Sequence, residues 1–246
     1  MIRRLIAPAL ATLVGLVILV SLGVWQVHRL DWKEALIARV AARIHAGPVA
    51  APGPLTWPSL DLAGEEYLRV VVHGRFINTQ EIYVIYTLTE PKGPVGGVGY
   101  QVMTPFQTDA GWIVWVNRGF VPTAKKYGTK RPEGLIEGET TVTGLLRQPH
   151  GRSWFMPGDG FSDNEWFSRD PKAWEPWVIL PSSAVAPYIV DADYDPSLPG
   201  GLPQGGETIA EFPNSHLGYA ITWFGLAGAL LVVFVLFARK RLKAGE

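Results

Sequence analysis

The chain has 246 residues, 22 of them basic and 22 acidic, so its formal net charge at pH 7 is zero. It contains no cysteine, which excludes a disulfide framework, a thiolate metal site and covalent attachment of a c-type heme. No basic stripe is present, which argues against a nucleic-acid surface.

The zero sum hides a division. Arg3, Arg4, Arg239, Lys240, Arg241 and Lys243 stand at the ends against Glu246 alone. That leaves 16 of the 22 basic and 21 of the 22 acidic residues to the middle of the chain. Two uncharged runs bracket that middle, residues 5–27 and residues 212–238, the second carrying only the ionisable His216. Each exceeds the ~20 residues that a helix needs to cross ~30 Å of hydrocarbon. Residues 5–27 and 216–238 are therefore predicted to span a membrane. A signal peptide is the alternative for the first run, since Ser21-Leu22-Gly23 resembles a small-x-small cleavage site. Its length exceeds the ~7–15 residues of a signal h-region, so an uncleaved anchor is the reading adopted.

Basic tails at 1–4 and 239–246 predict both termini in the cytoplasm and residues 28–215 outside it. Arg29 and Lys33 oppose this weakly, but a long loop is exported largely regardless of its charge. The first run lacks the Arg- and Ser-rich prelude of an organelle presequence, which favours a bacterial inner membrane with a periplasmic central domain.

After the first span, Asp31-Trp32-Lys33-Glu34 reads as a capping box. Leu36, Ile37, Val40 and Ile44 follow at helical spacing, so a short amphipathic helix is expected near 32–46, ending at Gly47-Pro48. Residues 47–58 carry four prolines and read as a linker. From 68 to 76, apolar and polar residues alternate as in a half-buried strand, with Gly74 on the apolar side. Residues 82–86 and 112–116 are short β-branched and aromatic runs, and 100–106 and 140–147 carry weaker strand patterns. Residues 92–97 and 125–139 read as loops. Residues 149–176, with Trp154, Trp166 and Trp174 among Gly, Pro and Asp, fit no element. A short helix is expected from 182 to 186, and 195–206 reads as a Pro/Gly tether. The expected fold is membrane α+β: two transmembrane helices flanking a mainly antiparallel β domain, barrel-like or sandwich-like. Ala11-xxx-Gly15 and Gly225-xxx-Ala229 offer small residues for close packing of the two spans.

The second span opens with Asn214-Ser215-His216-Leu217-Gly218-Tyr219-Ala220-Ile221-Thr222-Trp223-Phe224. His216, Tyr219, Ala220 and Trp223 share one helical face. An ionisable residue at the edge of a span is a functional candidate, and imidazole is a common axial ligand of heme iron. The plain alternative is an interfacial helix end with its aromatic belt. Trp25, His28, Arg29 and Trp32 form a similar stripe at the exit of the first span. His28 is either a second ligand or simply interfacial.

Four blocks resemble the Surfeit-locus (Surf-type) family of cytochrome c oxidase assembly factors. Leu22-Gly23-Val24-Trp25-Gln26-Val27-His28-Arg29-Leu30-Asp31-Trp32-Lys33 resembles the family's Gly-x-Trp-Gln-x-x-Arg-x-x-x-Lys signature. Val71-Val72-His73-Gly74-Arg75-Phe76 resembles its Gly-x-Phe strand. Thr104-Pro105-Phe106 and Val116-Asn117-Arg118-Gly119-Phe120-Val121-Pro122 resemble its central block, with Phe120 in place of Trp. The fourth block is the opening of the second span. Tyr86-Thr87 and Phe212 depart from basic positions found in many members.

The resemblance implies an assembly factor for heme–copper oxidases that binds heme a at His216 and assists its insertion into oxidase subunit I. Tyr219, Trp223, Arg29, Trp25 and His28 are the further candidate residues around that heme. The machinery that makes heme a and membrane lipid are the other implied partners. Gly74, Asn117, Arg118 and Gly119 are expected to have structural or partner-contact roles, with Gly119 supplying positive φ in a turn. A purely structural scaffold for oxidase subunits is the alternative. No enzyme is expected, since the chain has no Gly-rich phosphate loop, paired His–x–x–His or nucleophile elbow. Ser215 and His216 are sequence neighbours on a helix and point apart.

Overall fold

The computed structural model describes residues 3–154, 156, 158, 163–182, 184–208 and 212–243. In chain order its main elements are α1 (Arg3–Ile44), β1 (Val49–Ala50), β2 (Arg69–Phe76), β3 (Ile82–Leu88), β4 (Gly97–Thr108), β5 (Ile113–Pro122), β6 (Glu139–Arg147), β7 (Glu165–Trp166), α2 (Pro171–Trp174), β8 (Val185–Ala192) and α3 (His216–Lys243). They fall into two units, Met1–Ala41 with Ala210–Glu246, and Ala42–Ile209.

The helical unit pairs α1 with α3. A Cβ on Gly15 would lie 2.9 Å from Leu230, and one on Gly23 would lie 2.6 Å from the Phe224 ring. The Lys33 ammonium sits 5.0 Å from the centre of the Phe212 ring. Ascending positions on α1 meet descending positions on α3, so the pair is an antiparallel hairpin. Ala220 and Ala227, 2% and 6% exposed, are the small residues of α3 at its packed face. The predicted pair Gly225 and Ala229 is not: a Cβ on Gly225 meets open space, and Ala229 is exposed. Ala11 is exposed too. Close approach depends on which face turns inward, and sequence spacing alone does not fix that.

Both helices are long and apolar enough to cross a membrane, with mean hydropathy 2.6 and 2.4. Their apolar windows are 0% and 11% buried, so Leu, Val and Ile side chains face outward over most of their length. A soluble protein rarely exposes so large a contiguous apolar surface. This is the surface of a membrane protein.

The expected separate amphipathic helix does not form. α1 continues through Asp31 for 42 residues to Ile44. A capping box contributes ~1 kcal/mol, and residues 24–30, the two turns immediately before Asp31, hold no Gly or Pro to break the ladder, so continuation wins.

In the second unit, β2 pairs with β6, β6 with β8, β8 with β5, and β5 with β4. β4 returns to β2 through Gly74↔Thr108, Arg75↔Gln107 and Phe76↔Phe106, which closes a five-stranded barrel. β3 extends the wall from β4, β7 adds to β3, and β1 adds to β2. Most pairs are antiparallel, as expected, but β5 with β8, β1 with β2 and β3 with β7 run parallel. One core holds Val70, Val72, Phe106, Val114, Val116, Val142, Leu146, Tyr188 and Val190. A second covers the outer face with Ile82, Met103, Trp115, Trp166, Trp174 and Ile189. Trp115 meets Trp174 edge to face at 4.8 Å.

Two further expectations are corrected. Residues 182–186 do not start a helix; β8 begins at Val185, and Ser183 lies outside the described residues. The 195–206 stretch is more than a tether. Gln204 is 1% exposed, and its backbone exchanges hydrogen bonds with Phe120. Part of 149–176 also finds a place: Asp170 caps α2 by accepting from the Lys172 N–H at 3.0 Å, and Trp166 and Trp174 are buried.

Candidate functional site

α3 begins where Pro213 ends the preceding chain and Asn214 Oδ1 accepts from the His216 N–H at 3.4 Å. His216 is therefore the first residue of the helix, at the lip of the apolar run. It shares the packed face with Ala220 and Ala227, and its ring is half-buried. Its Nδ1 lies 2.8 Å from Gln26 Oε1. Gln26 belongs to α1 and is 8% exposed, one turn beyond Gly23 on the same inward face. Glycine at 23 lets the helices approach closely enough for this amide to reach the imidazole.

A carbonyl oxygen at Nδ1 matches the tautomer that carries its proton on Nδ1 and its lone pair on Nε2. Nε2 makes no hydrogen bond among the described residues. An imidazole in this state can donate its lone pair to a metal while its other nitrogen is held in place. Trp223 is half-buried on the same side of α3, and Tyr219 is 56% exposed one turn from His216.

The other stripe falls elsewhere. Trp25 is 55% and Trp32 49% exposed, and His28 and Arg29 are exposed as well. The Arg29 guanidinium stacks 3.9 Å above Trp32. A rotation of ~100° per residue puts Trp25, His28 and Trp32 on the face of α1 that points away from Gln26. The fold thus brings Gln26 to His216, and does not bring Trp25 or His28 there. Residue type gives no warning of this, because Gln26 stands out along the chain only as part of the Gly-x-Trp-Gln signature. The period of the motif was the available signal: Gly23, Gln26 and Leu30 share a face.

In the β unit, Asn117, Arg118 and Gly119 lie inside β5. Asn117 donates to Asp191 Oδ1 at 3.0 Å and accepts from the Gly119 N–H at 3.1 Å. Arg118 is 5% exposed. It donates to Asn78 Oδ1 at 3.1 Å and to the Gly134 carbonyl, lies 3.7 Å from Glu81, and covers the Phe76 ring at 4.3 Å. Burial lowers its pKa to about 10 against the opposing pull of Glu81, and the nearby Arg131 adds to the lowering. Gly119 does have positive φ, 124°, but within a strand and not in a turn. A Cβ there would fall 2.0 Å from the Gln204 carbonyl oxygen. Gly74, with φ 151°, lies equally close to the Gln107 carbonyl. All four residues lie within strands of the barrel, Gly74 in β2 and the other three in β5.

Sequence reasoning missed two buried charge centres. Glu81 pairs with Arg131 at 2.5 Å and accepts from the Tyr83 hydroxyl at 2.9 Å. Asp191, fully enclosed, is paired with Arg147 at 3.3 Å and with Arg169, and accepts from Thr208 at 2.9 Å. Burial alone would raise the Asp191 pKa. The two guanidiniums and the bonds from Asn117 and Thr208 outweigh it and hold the carboxyl below its usual range. A cavity of about 420 Å³ lies between the Thr140–Thr143 stretch of β6 and the segment after β8, next to the 2.6 Å Arg69–Asp193 ion pair. Among the described residues, no group of three or more His, Asp or Glu side chains is arranged to hold a metal ion.

The model of the SURF1 family matches residues 13–228, from the middle of α1 into α3. The chain belongs to the SURF1 family. It is 35% identical over 230 residues to the SURF1-like protein of Monosiga brevicollis, covering 91% of this chain and 85% of that one. It is 37% identical over 220 residues to Surfeit locus protein 1 of Homo sapiens, covering 85% and 70% respectively. Surfeit locus protein 1 of Xenopus tropicalis is similar at 36% over 220 residues, with 85% and 68% covered. The region shared with the SURF1 family includes both Gln26 and His216 as well as the whole barrel.

Proposed function

We propose that this SURF1-family protein is a membrane assembly factor for heme–copper cytochrome c oxidase, which holds heme a at His216 for insertion into subunit I. The observation that carries the reading is the half-buried His216 imidazole, anchored through Nδ1 and left with its Nε2 lone pair at the edge of an apolar helix pair. Heme a supplies an iron that takes an axial nitrogen and a large apolar ring suited to a lipid-facing groove. Tyr219 and Trp223 offer aromatic surface beside that nitrogen, and the Tyr219 hydroxyl is a hydrogen-bond partner for a polar ring substituent. Arg29 is an exposed cation at the same end of the hairpin, suited to a propionate. Trp25 and His28, facing away, serve the membrane interface in this reading and not the iron. The protein acts as a carrier and not as a catalyst.

The reading sets the protein in a bacterial inner membrane, with both termini cytoplasmic and the barrel periplasmic. Lys240, Arg241 and Lys243 in the last turn of α3 support that orientation. The oxidase subunit, the machinery that makes heme a and surrounding lipid are its partners.

A scaffold without heme is the second reading, favoured by the same bond. A Gln–His pair between two helices is also the kind of polar link that holds spans together. An absorption spectrum of protein purified from cells that make heme a separates the two. The carrier reading requires a bound heme in the parent and its loss in His216→Ala, with the barrel still folded. A parent without heme, or a variant with full heme content, supports the scaffold.

A further inference from the structure

We infer that Gln26 is a positioning residue for His216: its side-chain carbonyl holds the imidazole in the Nδ1–H form, so that Nε2 alone is available to a ligand. The inference rests on the carrier reading for the identity of that ligand, and on geometry for the rest.

The two side chains come from different helices and meet at 2.8 Å. Gln26 is 8% exposed, so packing holds its side chain beside the imidazole. The close approach at Gly23 removes the slack that would let the amide swing away. On the other helix, α3 starts at His216 with Asn214 capping its N–H, which sets the backbone that carries the ring. In a low-dielectric setting an Nδ1–H without a partner is costly, so the pairing biases one tautomer. The reverse amide orientation would donate to Nδ1 and move the proton to Nε2. That state has no lone pair for a metal. A glutamine carbonyl is thus a switch between a ligand and a non-ligand, and hydrogen-bonded second-sphere partners of this type commonly change metal affinity by 10–100-fold.

Gln26→Leu keeps the approximate length and removes the acceptor. Gln26→Glu keeps an acceptor and strengthens it. The full-length protein is labelled with ¹⁵N-histidine and held in lipid nanodiscs without heme. His216 is assigned as the resonance lost in His216→Ala. In the parent and in Gln26→Glu, its Nδ1 should carry the proton. In Gln26→Leu the proton should shift toward Nε2. A parent ring protonated at Nε2, or a tautomer unaffected by Gln26→Leu, overturns the inference whatever binds there.

The second measurement titrates heme a into the same proteins. Gln26→Leu should weaken binding at least ~10-fold and alter the ligand-field spectrum. Gln26→Glu should restore affinity and lower the midpoint potential, because a stronger acceptor makes the imidazole more electron-donating. If His216→Ala loses heme while Gln26→Leu matches the parent in affinity and spectrum, the positioning role falls and the carrier reading stands. If His216→Ala binds heme a as the parent does, the carrier reading falls and takes the ligand half of the inference with it.

Discussion

Phe120 and Gln204 exchange both backbone hydrogen bonds, at 2.9 Å and 2.8 Å, and so stitch the segment after β8 onto β5. The Gln204 side chain continues the seam, accepting from the Val95 N–H at 3.0 Å and donating to Glu207 at 2.6 Å. Glu207 in turn accepts from the Lys92 and Gly93 N–H groups, each at 3.0 Å. The chain is therefore fastened to the barrel just before it leaves for α3.

Gly119 makes that seam possible, since any Cβ there would strike the Gln204 carbonyl. Gly119→Ala should cost roughly 3 kcal/mol or more, combining strain at positive φ with overpacking against backbone. Gly74→Asp should be at least as damaging, because it adds a charge at the buried closure of β2 on β4. Both should melt well below the parent by circular dichroism. Parent-like melting of either would mean that the barrel does not close at that point.

Asp191 makes the barrel acid-sensitive. Its folded pKa is depressed, so its contribution is fully present above the unfolded value near ~4 and is lost as pH falls through the folded value. Glu165, lowered by hydrogen bonds from Tyr100 and Lys126, acts with the same sign. The melting temperature should hold nearly constant from about pH 7 to 5 and drop below about pH 4. Asp191→Asn should lose about 3–5 kcal/mol at neutral pH, since it strands Arg147 and Arg169, and should flatten the acid slope. A variant as stable as the parent would show that this ion cluster is not formed.

The hairpin register is open to a direct check because the chain has no native cysteine. Gly15→Cys with Leu230→Cys should cross-link within one chain on mild oxidation. Adding Gly23→Leu should suppress the link by driving the Phe224 ring away, whereas Gly225→Leu should leave it intact, since that position faces open space. Equal effects of the two leucines would rule out the packed face described above.

Orientation can be read with reporter fusions. A fusion after Lys243 should report cytoplasm, and one inserted among residues 125–130 should report periplasm. A mature N-terminus near Val24 would instead mean that the first span is cleaved.

Much of this protein is written along the chain. Hydropathy and length are one-dimensional properties, so both spans were legible, and so was the alternation that makes β2 a half-buried strand. The order of the family blocks was legible in the same way. His216 stood out because an ionisable side chain at the edge of an apolar run is costly enough to be conspicuous. The tertiary structure decided the rest. β5 and β8 are covered on both faces, Val114 and Val190 inward, Trp115 and Ile189 outward, so they lack the alternation that marks a strand, and β8 went unread. Asp31 carries a local capping signal, but a helix ends only where the lost ladder bonds are replaced, and there they are not. Gln26 became the partner of His216 because packing turned Gly23 and Gln26 inward and Trp25 outward. A sequence fixes which residues share a helical face; only the neighbouring helix determines which face is buried.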